Sequence, residues 1–310
     1  MEGTVIKSTG SNYQVLAEGK IYTCQLKGKI RLEGRKTTNP IAVGDVVDLD
    51  FEENDQPVIK NIHPRKNYII RKSINLSKQA QILASNLDQA ILIATLVSPR
   101  TSLGFIDRFL ITAEAYSIPA KIIFNKCDLL NATLLEAQKE IIAIYTKVGY
   151  DCFEVSSYAP AEIAALQHLF KDKVTLIAGH SGAGKSTFIN ALQPGLAIKT
   201  GQISAAHLKG MHTTTFAELH PLSFGGGIID SPGIKELGLV EMKKEEIGHY
   251  FPEIRARMNA CRFNNCLHVN EPKCAVIEAV EHGEISAERY TSYLGILNGE
   301  EMDWKEWEIK

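Results

Sequence analysis

Apolar and polar positions follow two different periods along the chain, and the change falls near residue 65. Up to about Pro64, the stretches YQVLAE, IYTCQL, DVVDLDF and PVIKNI cluster or alternate β-forming residues, with EGK, KGK, NP and ND between them. That is the pattern of short strands separated by turns, and no stretch there fits a long helix. About five such strands predict a small β-barrel of the OB type, with another small β-domain as the plain alternative.

From about Arg65, apolar strands alternate with amphipathic segments. AILIATLV (Ala90 to Val97) precedes a helical stretch from Ser102 to Ser117. KIIFN then leads to a helix over Ala132 to Val148, followed by CFEVSS, a short helix, VTLIAG and GGGIIDSPG. Strand–helix alternation of this kind predicts a parallel sheet covered on both faces. Beyond Glu236 the strands stop, and helix-like segments end in an acidic tail containing Trp304 and Trp307. The expected architecture is therefore multidomain α/β: a β-barrel over 1–64, an α/β centre over 65–235 and a helical unit over 236–310.

Charge narrows the function classes. Lys plus Arg number 34 against 36 Asp plus Glu, a net charge of −2, so any nucleic-acid surface must be a local patch. MEGTVIKSTG lacks the apolar core of a signal peptide, and AILIATLV is far too short to cross a bilayer. A soluble, cytoplasmic, monomeric protein without membrane contacts is expected.

Candidate chemistry begins at GHSGAGKS, which matches G-x-x-x-x-G-K-[ST] between the strand VTLIAG and the helix KSTFINAL. Strand, loop and helix are the setting this phosphate-binding motif needs, because glycines let successive N–H groups turn inward and the helix N-terminus adds its dipole. Gly179, His180, Ser181, Gly182, Ala183 and Gly184, with Lys185, Ser186 and Thr187, form the expected phosphate set. Lys185 should reach the β- and γ-phosphates and assist catalysis, and the Ser186 hydroxyl should bind Mg²⁺.

NKCD follows the strand KIIF, so it lies at a strand's C-terminal end, where ligands bind in such sheets. The Asp128 carboxylate can accept from N1–H and the exocyclic amine of guanine, a donor pair that adenine lacks. Asn125 should tie the loop to neighbouring backbone, and the Lys126 stem can lie over the base. Ser156 and Ser157, after the next strand, suit a second guanine contact through backbone N–H groups.

DSPG, at the end of GGGIID, would place Asp230 in the Mg²⁺ shell and the Gly233 N–H on the γ-phosphate. In GMHTTTF a threonine should complete that shell, Thr214 in preference to Thr213. Many GTPases carry a glutamine just after D-x-x-G to orient the attacking water, but this chain has Ile234 there. His212 is the nearest candidate for that task, with a solvent-facing loop histidine as the alternative.

Six cysteines divide into scattered Cys24, Cys127 and Cys152, read as small apolar residues, and a crowded set. Cys261-x4-Cys266-x-His268-x5-Cys274 offers three thiolates and an imidazole. This is a closed tetrahedral zinc set with a structural role, against redox chemistry or chance clustering as the alternatives.

The motifs run N-K-x-D, S-S, phosphate loop, threonines, D-x-x-G, which is the usual GTPase set rotated. Circular permutation preserves the sheet and puts the γ-phosphate segment directly before the metal unit. In order and combination, NKCD, GHSGAGKS, GMHTTT, DSPG and the Cys/His cluster resemble the circularly permuted ribosome small-subunit-dependent GTPase family across the whole chain. The resemblance implies an N-terminal OB domain, a permuted GTPase centre and a C-terminal zinc domain. It implies a protein that docks on the nearly mature small ribosomal subunit, is stimulated by it to hydrolyse GTP to GDP and phosphate, and assists late maturation. It also implies a hydrolytic role for His212. The family commonly has Arg before that histidine, where this chain has Met211, and Thr after the Asp of D-x-x-G, where it has Ser231.

Support for an rRNA partner in the residues themselves is partial. Gln56 to Leu87 contains no Asp or Glu but holds Lys60, Arg65, Lys66, Arg71, Lys72 and Lys78. With Lys27, Lys29, Arg31, Arg35 and Lys36 these could track a phosphate backbone, although solvated linker charge explains the same pattern. The competing functional readings are a non-hydrolysing, GTP-gated RNA-binding module, encouraged by Ile234, and a zinc-stabilised scaffold with a vestigial nucleotide site.

Overall fold

The computed structural model describes residues 1–9, 12–26, 40–51, 57–72, 80–196, 198, 217–230 and 242–299. The N-terminal strands are β1 (Glu2–Ser8), β2 (Tyr13–Ala17), β3 (Lys20–Leu26), β4 (Val46–Phe51) and β5 (Pro57–Ile62). They pair in the order β1-β2-β3-β5-β4, and β4 returns to β1, which closes the barrel. β3 and β5 run parallel while the other barrel pairs are antiparallel. Alternate residues point inward, so Val5, Tyr13, Val15, Val47, Leu49 and Ile59 fill the interior. The OB-type barrel expected from the strand pattern is present.

A hairpin follows that the hydrophobic pattern did not reveal, made of β6 (Tyr68–Lys72) and β7 (Ala80–Ser85). Its two runs, YIIRK and AQILAS, do not alternate apolar with polar residues and so carry no period-2 signal. Tertiary contacts fix the hairpin instead. Val43 of the barrel bridges to Ala84, and the buried Asp45 carboxylate accepts from Arg65 Nε and Nη2, both at 2.6 Å, and from Ser85 Oγ at 2.6 Å.

The α/β centre uses β8 (Gln89–Ala94), β9 (Ala120–Phe124), β10 (Asp151–Glu154), β11 (Val174–Ala178), β12 (Glu218–Pro221) and β13 (Gly227–Asp230). Their spatial order is β10-β9-β8-β11-β13-β12, all parallel except β12. β8 is buried along its whole length, which explains its apolar run from Ala90 onward. Its side chains alternate between two cores. Ala90, Leu92 and Ala94 face α1 (Leu103–Ala115) and α2 (Ala132–Lys147). Ile91 and Ile93 face α3 (Pro160–Ala165), α4 (Gln167–Phe170) and α5 (Lys185–Leu192). β12 also pairs with β1 at Lys7 and Glu218, whose side chains bond at 2.8 Å, so barrel and centre share one sheet.

The C-terminal unit holds α6 (Lys244–Ile247), α7 (Pro252–Met258), α8 (Ala275–Glu281) and α9 (Ala287–Asn298). Ile247, Phe251, Ile254, Val276 and Tyr293 form its core together with Ile111 of α1, so the unit is packed onto the centre through that helix.

Candidate functional site

Every parallel strand of the centre delivers its C-terminal end to one edge of the sheet, the edge where such sheets bind ligands. The phosphate loop leaves β11 there. Gly179 and Gly184 have φ of 151° and 93°. A Cβ on Gly179 would lie 2.4 Å from the Ile93 carbonyl oxygen, and one on Gly184 would lie 2.4 Å from Asn125 Nδ2. Only glycine lets the loop come this close to the strands beside it. Gly184 then caps α5, whose first residue is Lys185, followed by Ser186 and Thr187. Ser181 and Gly182 are exposed at the loop's tip, and Ala183 is buried.

Asn125 joins the two nucleotide motifs. Its Nδ2 donates to the Ala183 carbonyl at 2.9 Å, and its Oδ1 accepts from the Ser157 N–H at 3.0 Å and the Ser157 hydroxyl at 2.8 Å. Lys126 adopts a left-handed backbone conformation and donates from Nζ to the Ser98 carbonyl. Asp128 lies exposed in the 3₁₀ turn Cys127–Leu129. The segment carrying Ser156 and Ser157 is close by. The Ser156 N–H donates to Glu162 Oε2 at 2.7 Å, and the Ser157 N–H is spent on Asn125. Both amides thus stabilise the loop internally, because buried donors find the nearest acceptor.

Lys185 Nζ donates to the carbonyls of Gly179 at 2.7 Å and His180 at 3.0 Å. Burial pulls its pKa below the ordinary ammonium value, and Asp230 partly offsets that. Burial pushes the Asp230 carboxyl up, opposed by Lys185 and then by His220. Asp230 Oδ1 is buried and lacks a hydrogen-bond partner among the described residues. A buried, unpartnered carboxylate oxygen at the end of β13, beside the strand that leads into the phosphate loop, suits a magnesium ion and its water shell, so the donor fits that ion.

Two features escaped the sequence reading. Residues 95–101, at the end of β8, are cross-tied by Thr95 N to Thr101 Oγ1 at 3.0 Å and Thr101 N to the Thr95 carbonyl at 2.7 Å. Pro99 of that loop would stand 3.3 Å from a Cβ on Gly182. Phe105 of α1 stacks on His180, with centroids 3.8 Å apart and planes at 28°. Their place at the C-terminal end of a parallel strand was the available signal.

In the C-terminal unit, Cys261 Sγ lies 3.5 Å from His268 Nδ1 and 3.8 Å from Cys274 Sγ, and Nδ1 lies 3.3 Å from Cys274 Sγ. With Cys266 Sγ, all four donor atoms fall within 4.8 Å of one another. Tetrahedral zinc with bonds of about 2.3 Å to sulfur and 2.0–2.1 Å to nitrogen spaces its ligands by about 3.5–3.8 Å, so the cluster fits that ion. Glu271 braces the knuckle by accepting from the N–H groups of Leu267 and Val269 at 2.8 Å and Asn270 at 3.1 Å.

His212, Thr213, Thr214 and Gly233 lie outside the described residues, as do Lys27, Lys29, Arg31, Arg35, Lys36 and Lys78. Of the basic stretch, Arg65 is withdrawn: its side chain is 6% exposed and is held by Asp45. Lys60 and Lys66 stay exposed, paired with Asp50 and Asp88 respectively. Among the described residues no helix is long and apolar enough to cross a membrane.

Two family models match the chain. Residues 62–240 match the family model of the RsgA GTPase, and residues 2–59 match that of the RsgA N-terminal domain. The Small ribosomal subunit biogenesis GTPase RsgA of Christiangramia forsetii is 52% identical over 309 residues, covering 98% of each chain. Its counterpart in Bacteroides fragilis is 52% identical over 302 residues, covering 97% of each. The crystal structure of YjeQ from Thermotoga maritima superposes with a TM-score of 0.80 at 34% identity, covering 96% of this chain and 97% of that one. YloQ, a circularly permuted GTPase, gives 0.73 at 32% identity, covering 96% and 94%.

Proposed function

The chain belongs to the RsgA GTPase family and is a GTP hydrolase, and on that premise we propose that it works on the small ribosomal subunit. In this reading the subunit and its rRNA stimulate hydrolysis of GTP to GDP and phosphate, and the protein assists late small-subunit maturation. It acts as a cytoplasmic monomer, with a barrel over 1–64, a permuted GTPase centre over 65–235 and a zinc unit over 236–310. The observation that carries the nucleotide part is the Asn125 amide, which bonds to both Ala183 and Ser157 and so draws the base-reading and phosphate-holding segments into one pocket.

Roles follow from the donor chemistry. Asp128 accepts from the two guanine donors while the Lys126 stem covers the base. Gly179 to Gly184 offer backbone N–H groups to the phosphates, and Lys185 exchanges its carbonyl partners for phosphate oxygens. Ser186, Thr214 and Asp230 hold magnesium, which when bound neutralises developing phosphate charge. The Gly233 N–H meets the γ-phosphate, and His212 orients the attacking water, since Ile234 offers no polar group. Cys261, Cys266, His268 and Cys274 hold one structural zinc.

The decisive measurement is phosphate release from GTP with small subunits, with large subunits and with neither. Stimulation by small subunits alone is expected, and equal turnover in all three samples would remove the ribosomal part of the proposal.

A further inference from the structure

One helix touches both the phosphate loop and the C-terminal unit. Phe105, in the first turn of α1, is the residue stacked on His180 of the phosphate loop. Asp107, Ile111 and Glu114 are spaced to share one side of the helix, and all three meet the C-terminal unit. Asp107 Oδ1 accepts from Arg289 Nη1 at 2.6 Å, Ile111 is buried among Ile247, Phe251 and Tyr293, and Glu114 Oε2 accepts from Arg255 Nη1 at 3.2 Å. Arg289 is clamped from the other side by Glu253, at 2.7 and 3.0 Å. Thirteen residues of helix behave as a rigid rod, so its lateral docking and its stacking end cannot shift independently.

We infer that Phe105 is a positioning residue for the phosphate loop, through which the docking of the C-terminal unit on α1 sets how tightly the loop holds a guanine nucleotide. The inference rests on the reading of that loop as the nucleotide site. The stack fixes the His180 ring, and the carbonyl of that same residue is one of the two that Lys185 contacts. Linkage makes the effect reciprocal: bound nucleotide strengthens the docking of the C-terminal unit by the same factor.

The test uses the full chain and the release rate of a fluorescent GDP analogue, with thermal unfolding as the check on folding. Phe105→Leu keeps apolar bulk but removes the stacked ring, and it should speed release about three- to tenfold. Phe105→Tyr, which keeps the ring, should restore a rate near that of the parent protein. Arg289→Lys keeps the charge but loses the two-pronged grip on Glu253, and it should speed release to a similar degree. Added to Phe105→Leu it should change nothing further. Glu114→Gln replaces it under the same criterion if Arg289→Lys does not fold. Parent-like release from Phe105→Leu, or fully multiplicative effects in the double variant, would overturn the relay. Failure of the parent protein to bind the analogue would instead remove the nucleotide reading itself.

Discussion

Asn125 and Ala183 are 58 residues apart in the chain, yet the Asn125 amide donates to the Ala183 carbonyl at 2.9 Å. The bond fastens the N-K-x-D loop to the G-x-x-x-x-G-K-S loop, and the other end of the same amide holds Ser157. Asn125→Ala removes three hydrogen bonds at a buried position and leaves an amide, a hydroxyl and a carbonyl without partners. Each orphaned group costs about 1–3 kcal/mol unless water reaches it. Affinity for GDP should therefore fall by about 10- to 100-fold with the fold retained. Equilibrium titration beside a thermal melt checks this, and unaltered affinity would show that the brace is dispensable.

Asp128 is exposed beside that brace, where a base can reach its carboxylate. Asp128→Asn replaces an acceptor pair with one acceptor and one donor. Guanine, with two donors, should bind less well, whereas xanthine, with a carbonyl in place of the amine, should bind better than to the parent. Competition among GTP, ATP and XTP reads this out. Retained preference for GTP over both would deny Asp128 its part in base choice.

Much of this site was legible because its chemistry is local in sequence. Gly179 to Ser186 declare themselves by spacing, and the strand before them is apolar but for Thr175. The same holds for Cys261, Cys266, His268 and Cys274, whose ligand chemistry needs no knowledge of the fold. What stayed hidden depends on segments far apart in the chain. Arg65 read as one more solvent-facing cation, since nothing near it in sequence announces Asp45 as its buried partner. The β6–β7 hairpin, the Phe105–His180 stack and the Arg289 latch have the same origin. The Ser156 and Ser157 amides show a subtler limit: their place after a strand is legible in the sequence, but their acceptors in this structure, Glu162 and Asn125, are not.

Arg289 and Asp107 form a pair with side chains 2% and 0% exposed, joined by Glu253 and by Tyr145, whose hydroxyl donates to Asp107 at 2.9 Å. Burial works against the charged guanidinium, but Asp107 and Glu253 more than offset it and raise its pKa. The Arg289 guanidinium also lies over the Phe251 ring, 4.7 Å from its centroid. Arg289→Met strands two carboxylates in an apolar setting and should cost about 3–5 kcal/mol in urea unfolding. Adding Asp107→Leu should recover part of that loss. A loss below about 1 kcal/mol would mean that water enters and screens the acids.

His63 and Asp48 supply a pH signature on the barrel. His63 Nε2 lies 3.0 Å from Asp48 Oδ1. The hydrogen bond to Asp48 raises the His63 pKa, and the bond to His63 lowers that of Asp48. A raised histidine pKa contributes stability that is fully present below its unfolded value of about 6.5 and is lost as pH rises through the folded value. The depressed carboxylate contributes above its unfolded value of about 3.9 and loses that contribution as pH falls through the folded one. The pair therefore acts between those limits. His63→Gln should lower the melting temperature slightly near pH 5 and leave it unchanged near pH 8.5. A pH-independent difference would assign the effect to packing instead.

The Cys/His cluster draws residues 261–274 together where little apolar surface is available, because Arg262 to Asn265, Val269 and Asn270 are all exposed. Further ties on the loop include Glu271, which accepts three backbone N–H groups, and the hydroxyls of Tyr290 and Tyr293. The two hydroxyls donate to the carbonyls of His268 at 2.6 Å and Leu267 at 2.7 Å. Those tyrosines belong to α9, the helix that also carries Arg289, so the metal site and the latch share one support. Metal analysis should find one zinc per chain, and Cys274→Ser should abolish it. Glu271→Ala leaves all four ligands intact but frees the loop, and it should weaken metal retention about 10- to 100-fold against a competing chelator. Stripping the metal should loosen the cluster before the α/β centre, so amide exchange should rise across 261–299 while β8, β9 and β11 remain protected. If exchange across 261–299 were the same with and without metal, the cluster would not be what holds this unit in place.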